Sequence, residues 1–248
     1  MSAWQHLRLI TIDLDDTLWP CAPVIQAAEA AHYAWLAARA PQLADRHSLD
    51  SLRSHRRALM RARPDIAHDV TAVRNAALMA LLLELDYSEQ QAHELAQGAL
   101  LAFRKVRNQV QPYADVAPVL TRLRRHCRLV AVTNGNAEVQ HTPLRGAFDR
   151  CLTAAEAGAA KPSPALFELA MDWAEATPAQ TLHIGDDPAL DVEAARLLGI
   201  AAVWVNRSAQ SWPSELEPPL YEIADLHALA HWLNLPDNLP DNLPELAE

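Results

Sequence analysis

Two aspartates set two residues apart, Asp13 and Asp15, stand at the end of an apolar run, Ile10-Thr11-Ile12, and are followed by Asp16 and Thr17. A strand interior cannot hold unpaired carboxylates cheaply, so the strand must stop there and leave the acids at its carboxyl end. In an open parallel sheet that edge is where ligands bind. Residues two apart in extended chain leave the backbone on the same side. Two convergent carboxylates suit a hard divalent cation such as Mg2+. They also allow one carboxylate to attack an electrophile while the other handles a proton.

Three further segments carry chemistry of the same kind. The apolar run Leu129 to Val132 ends in Thr133-Asn134-Gly135-Asn136, where a hydroxyl and backbone amides can hold phosphate oxygens. Lys161 lies in Gly158-Ala159-Ala160-Lys161-Pro162-Ser163-Pro164, a loop stiffened by two prolines. Of the 21 basic residues only Lys105 and Lys161 are lysine, so a lysine kept in a loop suggests a need for a compact point charge rather than a planar fork. The run Leu182-His183-Ile184-Gly185 then ends in Asp186 and Asp187, with Asp191 at the start of the next helix. Asp186 is placed to complete a metal site with Asp13 and Asp15, and Asp191 is expected to cap its helix.

The elements that must position these residues follow from apolar periodicity. Strands are expected at Leu7 to Leu14, Arg128 to Thr133, Arg150 to Thr153, Thr181 to Ile184 and Ala201 to Val205. Helices are expected at Val24 to Ala40, Leu49 to Arg61, Asp65 to Leu85 and Ser88 to Asn108, with breaks at Pro41, Pro64 and Asp86-Tyr87-Ser88. After Pro112 helices and strands alternate, with helices at Val116 to His126, Pro164 to Ala174 and Val192 to Leu198. The pattern predicts an α/β fold: a doubly wound, Rossmann-like parallel sheet with an all-helical domain inserted after the first strand. The expected division is a core of residues 1–20 and 111–234, a helical insertion of residues 21–110, and a flexible proline-rich tail of residues 235–248.

Half of the 248 residues are apolar, enough for a sizeable core, and the formal charge is −10. Such an acidic chain is a poor partner for nucleic acid or an anionic membrane. Cys21, Cys127 and Cys151 have no metal-ligand spacing, and their odd number argues against a disulfide framework. With charges at Arg8, Asp13 and Asp15 interrupting the start, no signal peptide is expected, and a reducing cytoplasm is. The longest apolar stretch, Ala76 to Leu83, is too short to span a bilayer.

The four segments, in this order, resemble the haloacid dehalogenase-like superfamily of phosphohydrolases. The resemblance implies that Asp13 is a nucleophile forming an aspartyl-phosphate, and that Asp15 protonates the leaving oxygen and then activates water. It implies Mg2+ held by the Asp13 side chain, the Asp15 carbonyl and Asp186, with Thr133 and Lys161 on the phosphoryl group. Asn134 and Gly135 are expected to touch the substrate, and Thr17, Asp187 and Asp191 to support these groups from behind, Asp191 orienting Lys161 or a metal-bound water. The inserted helices take the place of the superfamily's cap over the active site. More narrowly, Pro64 to Thr71, Thr133 to Ala137 and His183 to Asp187 resemble bacterial flavin mononucleotide phosphatases. His68, Asp69 and Arg74 would then face the substrate, with Trp19, Tyr33 and Trp35 near enough in sequence to stack on a flavin.

The expected function is therefore a Mg2+-dependent phosphomonoesterase acting, as monomer or homodimer, on a small phosphate ester, with flavin mononucleotide the leading substrate. A 2-haloacid dehalogenase shares the fold but has no alkoxide for Asp15 to protonate. A phosphosugar mutase shares the motifs and would return the phosphoryl group to a sugar. A non-catalytic binding protein has no use for an aligned nucleophile and proton donor.

Overall fold

Strand β1 (Leu9–Ile12) is four residues, all buried, at the centre of a sheet. The computed structural model describes residues 6–233, and the expected tail at 235–248 lies outside them. Beside β1 run β2 (Arg128–Thr133), β3 (Arg150–Thr153), β4 (Thr181–Gly185), β5 (Ala201–Val205) and β6 (Tyr221–Ile223), in the order β3-β2-β1-β4-β5-β6. Every pairing is parallel. Strand order reverses at β1, so the crevice outside the carboxyl ends of β1, β2 and β4 is the topological switch point of a doubly wound sheet.

Buried on both faces, these strands send alternate residues to opposite sides. Ile10, Ile12, Leu129, Ala131, Leu182 and Ile184 pack with helices α6 (Val116–Leu123) and α10 (Leu226–Trp232). Leu9, Val130, Val132 and Leu152 pack on the other side with α8 (Ala165–Ala174) and α9 (Ala194–Leu197). The short α7 (Ala154–Ala157) follows β3 directly, and a single π-helical turn at Pro188–Glu193 leads into α9.

Between β1 and α6 the chain forms five helices: α1 (Cys21–Arg39), α2 (Pro41–Arg46), α3 (Leu49–Ala62), α4 (Val70–Glu84) and α5 (Glu89–Arg107). Leu36, Leu43, Leu78, Leu81, Leu82, Ala92, Ala96 and Ala99 form a separate core for this cap. Its α1 and α5 lie so close that a β-carbon on Gly98 would meet the Trp35 ring at 2.2 Å.

Three local expectations are corrected. The break expected at Pro41 is present, since α1 ends at Arg39, but Pro41 also opens the unforeseen α2, because a proline at the first helical position gives up only a donor that has no partner there. The helix expected from Asp65 starts at Val70, because Asp69 Oδ1 accepts from the amides of Thr71 and Ala72, 2.9 Å each, and caps it. The segment expected as a helix from Val192 is split between the π-helical turn and α9. Among the described residues no helix is long and apolar enough to cross a membrane, and the three cysteines are free thiols.

Candidate active site

β1 delivers Asp13 to the sheet edge, where its amide still donates to Ile184 O at 2.9 Å. The chain then turns tightly. Leu18 N donates to Leu14 O and Asp16 N to Trp19 O, both at 2.8 Å, and Asp16 takes a left-handed φ of 63°. This turn returns Thr17 beneath Asp13. The Thr17 hydroxyl lies 2.8 Å from Asp186 Oδ1 and 3.4 Å from Asp13 Oδ2.

Lys161 comes from the loop after α7 and is buried. Its Nζ donates to Asp13 Oδ1 at 2.6 Å, to Asp191 Oδ1 at 2.6 Å and to Val132 O at 3.1 Å. The loop is clamped by Asn134, whose Nδ2 donates to Lys161 O at 2.9 Å while its Oδ1 accepts from Lys161 N at 2.7 Å. Asn134, expected on the substrate, thus spends its amide on the lysine backbone. Thr133 Oγ1 accepts from Gly135 N at 2.9 Å, which leaves its proton free to donate into the cleft.

Asp191 is 1% exposed, and the lack of a side chain on Gly185 makes its room: a β-carbon there would stand 2.3 Å from Asp191 Cγ. Asp191 Oδ2 accepts from Asp187 N at 3.0 Å, and His183 Nε2 stands 3.2 Å from its Oδ1. Asp187 caps the π-helical turn through the amides of Ala189 and Leu190. Trp204 Nε1 donates to Asp186 O at 2.7 Å.

Burial, with the nearby Asp191 and Asp186, holds the Asp13 carboxyl well above its ordinary range against the pull of Lys161. Burial and Asp191 push Asp186 up to about 7. Burial works against ionisation of Asp191 as well, yet Lys161 and His183 hold it well below the carboxylate range. For Lys161 burial is outweighed by Asp13 and Asp191, which keep it charged above the ordinary lysine range. The pocket therefore holds an ammonium fixed between two carboxylates, and a second pair of acids, Asp13 and Asp186, that resist being ionised together.

Carboxylate oxygens of Asp13, Asp186 and Asp191 all lie within 4.8 Å of one another. Hard oxygens at that spacing, with burial opposing their charge, fit a divalent cation of the Mg2+ type. Asp15 lines the same cleft, but its carboxylate turns away from this cluster. Its Oδ1 accepts from Trp19 Nε1 at 2.9 Å and its Oδ2 from Arg107 NH2 at 2.5 Å. The third acid near the metal-suited pair is thus Asp191, and Asp15 could join only through its carbonyl.

The cleft around Asp13, Asp15, Thr133, Gly135, Lys161 and Asp186 adjoins a second at Gly135. The second is lined by His68, Asp69 and Thr71 of the cap and by Asn136, Glu138 and Thr153 of the core. Arg74, expected beside His68, is not in it. Its guanidinium stacks on Phe103 at 3.8 Å and lies 3.7 Å from Glu29, lining a cavity inside the cap instead. Nor do the three aromatics near in sequence offer a flavin platform. Trp19 is fully buried, Tyr33 donates to His47 O at 3.0 Å, and Trp35 lies under Arg39.

The haloacid dehalogenase-like hydrolase family matches residues 7–199. The chain belongs to that family. This hydrolase is 33% identical over 228 residues to the 5-amino-6-(5-phospho-D-ribitylamino)uracil phosphatase YigB of Escherichia coli (strain K12), covering 90% of the chain and 95% of the relative. It is 34% identical over 151 residues to the phosphoserine phosphatase of Thermus thermophilus, covering 58% of the chain and 59% of the relative. A crystal structure of 2-haloacid dehalogenase from Pseudomonas syringae pv. Tomato DC3000 superposes on it with a TM-score of 0.86 and 35% identity, covering 92% of this chain and 98% of that one.

Two residues of the hydrolase's site carry no sequence signal of their own. His183 is one more residue of the apolar run that becomes β4, and only the fold places it behind Asp191. Arg107 ends a helix in a chain whose cations are nearly all arginine, and its partner Asp15 lies 92 positions away.

Proposed function

We propose that this hydrolase is a Mg2+-dependent phosphomonoesterase working through an aspartyl-phosphate on Asp13. The observation that carries this reading is the grouping of Asp13, Asp186 and Asp191 around Lys161, with Asp15 opening on the same cleft. A carboxylate is a poor nucleophile toward an anionic phosphate unless that charge is offset. Lys161, held charged against Asp13, supplies one offset, and the Thr133 hydroxyl supplies a donor for a phosphoryl oxygen. Asp13 and Asp186, with the Asp15 carbonyl, would hold Mg2+, which would supply the other offset by polarising the phosphoryl group.

In the first step Asp13 attacks phosphorus, the P–O bond to the leaving group breaks, and Asp15 gives that oxygen a proton. In the second, Asp15 takes a proton from water, whose oxygen displaces Asp13 and releases inorganic phosphate. The helical cap, residues 21–110, excludes bulk water and lends His68, Asp69 and Thr71 to the leaving group, while residues 1–20 and 111–234 form the catalytic core.

For substrate, the relative named for a 5-phospho-ribitylamino compound and the flavin mononucleotide resemblance share one feature, a primary phosphate on a ribityl chain. The polar lining of the second cleft supports a polyol there, and the absence of an aromatic platform among the residues named disfavours stacking as the source of affinity. We place ribityl phosphates first and flavin mononucleotide within that class. A dehalogenase reading gains from relatives and a solved structure of that name, and leaves Asp15 without a task.

The test is phosphate release with Mg2+ across flavin mononucleotide, ribityl and sugar phosphates, phosphoserine and a 2-haloacid, with Asp13→Asn as control. Release confined to the wild type supports the phosphatase. Halide release without phosphate release, or near-normal turnover by Asp13→Asn, overturns it.

A further inference from the structure

Asp15 is gripped at both oxygens. Trp19 Nε1 donates to Oδ1 at 2.9 Å from the same turn, and Arg107 NH2 donates to Oδ2 at 2.5 Å from the last residue of α5. Arg107 is 1% exposed, an unusual setting for a guanidinium, which is seldom fully buried without a partner. Its Nε donates to Asn136 Oδ1 at 3.3 Å, and Asn136 Nδ2 donates in turn to Thr71 Oγ1 on α4 at 3.0 Å. Gly135 closes the arrangement from below. A β-carbon there would stand 2.6 Å from Asp15 Oδ2 and 3.2 Å from Arg107 NH2.

The carboxylate at the sheet edge is therefore aimed by a residue of the cap. One donor on each oxygen, Arg107 NH2 on Oδ2 and Trp19 Nε1 on Oδ1, fixes both the position and the orientation of the carboxylate, and the planar guanidinium keeps its Nε for Asn136. The same fork, through Asn136, touches the first turn of α4 beside His68 and Asp69, so the placement of the cap's two contact points is tied to the aim of Asp15.

We propose that Arg107 is a positioning residue that orients Asp15 for proton delivery to the leaving oxygen, making that delivery depend on the seating of α4 and α5. The inference rests on the phosphatase reading. Its signature is selectivity for leaving groups. An alkoxide needs a proton as the P–O bond breaks, whereas p-nitrophenolate departs without one. Loss of aim at Asp15 thus harms alkyl phosphates and spares aryl ones, whereas a general loosening of the fold harms both.

The experiment measures kcat/KM of the full-length, Mg2+-loaded enzyme for the best alkyl phosphate and for p-nitrophenyl phosphate, since kcat/KM covers the steps up to transfer onto Asp13. Asp15→Asn is expected to lose roughly 10²- to 10⁴-fold on the alkyl ester and far less on the aryl one. Arg107→Met is expected to lose roughly 10- to 100-fold on the alkyl ester and under about 3-fold on the aryl one, a cost of misplacement rather than of a missing group. Arg107→Lys should recover part of the alkyl rate, and Asp15→Asn with Arg107→Met should be no slower than Asp15→Asn alone. Should Arg107→Met not fold, Arg107→Lys and Trp19→Phe carry the comparison, each expected to show the same selectivity. Equal losses on both esters, or additive losses in the double variant, overturn the positioning role. Absence of phosphate release by the wild type on every ester fails the phosphatase reading instead.

Discussion

Thr11 and His183 face each other across the β1–β4 pairing, and the threonine Oγ1 lies 2.9 Å from the imidazole Nδ1. From there a buried line of polar contacts runs through His183 Nε2, Asp191 and Lys161 to Asp13. Burial lowers the His183 pKa, so the neutral ring takes the hydroxyl proton's bond at Nδ1 and donates from Nε2 to Asp191. Thr11→Val keeps the shape and removes the hydroxyl, leaving Nδ1 buried without a donor. Urea denaturation should show a loss of about 1–3 kcal/mol, the cost of an unsatisfied buried acceptor. Unchanged stability would mean that the ring takes the other tautomer or another partner.

Lys161 tests the geometry of a point charge. Its ammonium is enclosed by Asp13, Asp191 and Val132 O, with 4% of the residue exposed. Lys161→Arg retains the charge but brings a planar fork that cannot meet three acceptors from one atom. Phosphate release should fall by about 100-fold or more, as for a misplaced catalytic group. Lys161→Met removes the charge and strands two buried carboxylates, which should cost about 3–5 kcal/mol of stability. Near-normal kinetics in Lys161→Arg would remove Lys161 from the phosphoryl site.

How much of this was legible in the sequence depended on whether the signal was local. The strands β1, β2, β4 and β5 read directly because buried parallel strands are short apolar runs, and the acids closing β1 and β4 marked the edge where ligands bind. Tyr221-Glu222-Ile223 escaped because an edge strand of three residues with a glutamate at its centre lacks that pattern. The break at Pro41 read correctly, but α2 behind it did not, because proline reads as a break whether it ends a helix or opens one. Asp13, Lys161 and Asp186 were legible as types of chemistry, and their approach in space needed only the fold, whereas the Asp15 carboxylate, expected beside that of Asp13, turns instead to Trp19 and Arg107. Arg107 and Arg74 were not, since a helical arginine carries no mark of what it meets. One proves to grip Asp15, and the other to pair with Glu29 inside the cap.

The cap should weaken in acid through His32. Burial, with Arg74 and Arg56 nearby, lowers the pKa of this α1 histidine to about 4. A folded pKa below the unfolded value of 6.5 means that the unfolded chain binds the proton more readily, so stability is full above about 6.5 and declines as pH falls toward 4. The difference corresponds to up to about 3 kcal/mol. His32→Leu should flatten the part of the stability–pH curve between those limits, followed by thermal unfolding at a series of pH values. A slope as steep as the wild type's would assign it to other groups.

Metal should stabilise the fold through Asp186. Its carboxyl is raised from 3.8 to about 7 by burial and Asp191, so in metal-free protein the cost of ionising it is absent below about 3.8 and grows as pH rises through about 7. At pH 8 the charge is present and uncompensated, and Mg2+ bound to the native state alone relieves it. At about 100 times its Kd the ion should add about 2.7 kcal/mol, raising the melting temperature by roughly 5–10 °C. Asp186→Asn should do two things at once. Without metal it should melt higher than the wild type at pH 8, by on the order of 1–2 kcal/mol after allowing for partial exposure. With Mg2+ it should gain little further. An equal Mg2+ shift in both proteins would place the ion elsewhere, and a lower metal-free melting temperature in Asp186→Asn would mean that the hydrogen bond from Thr17 outweighs the relief of charge.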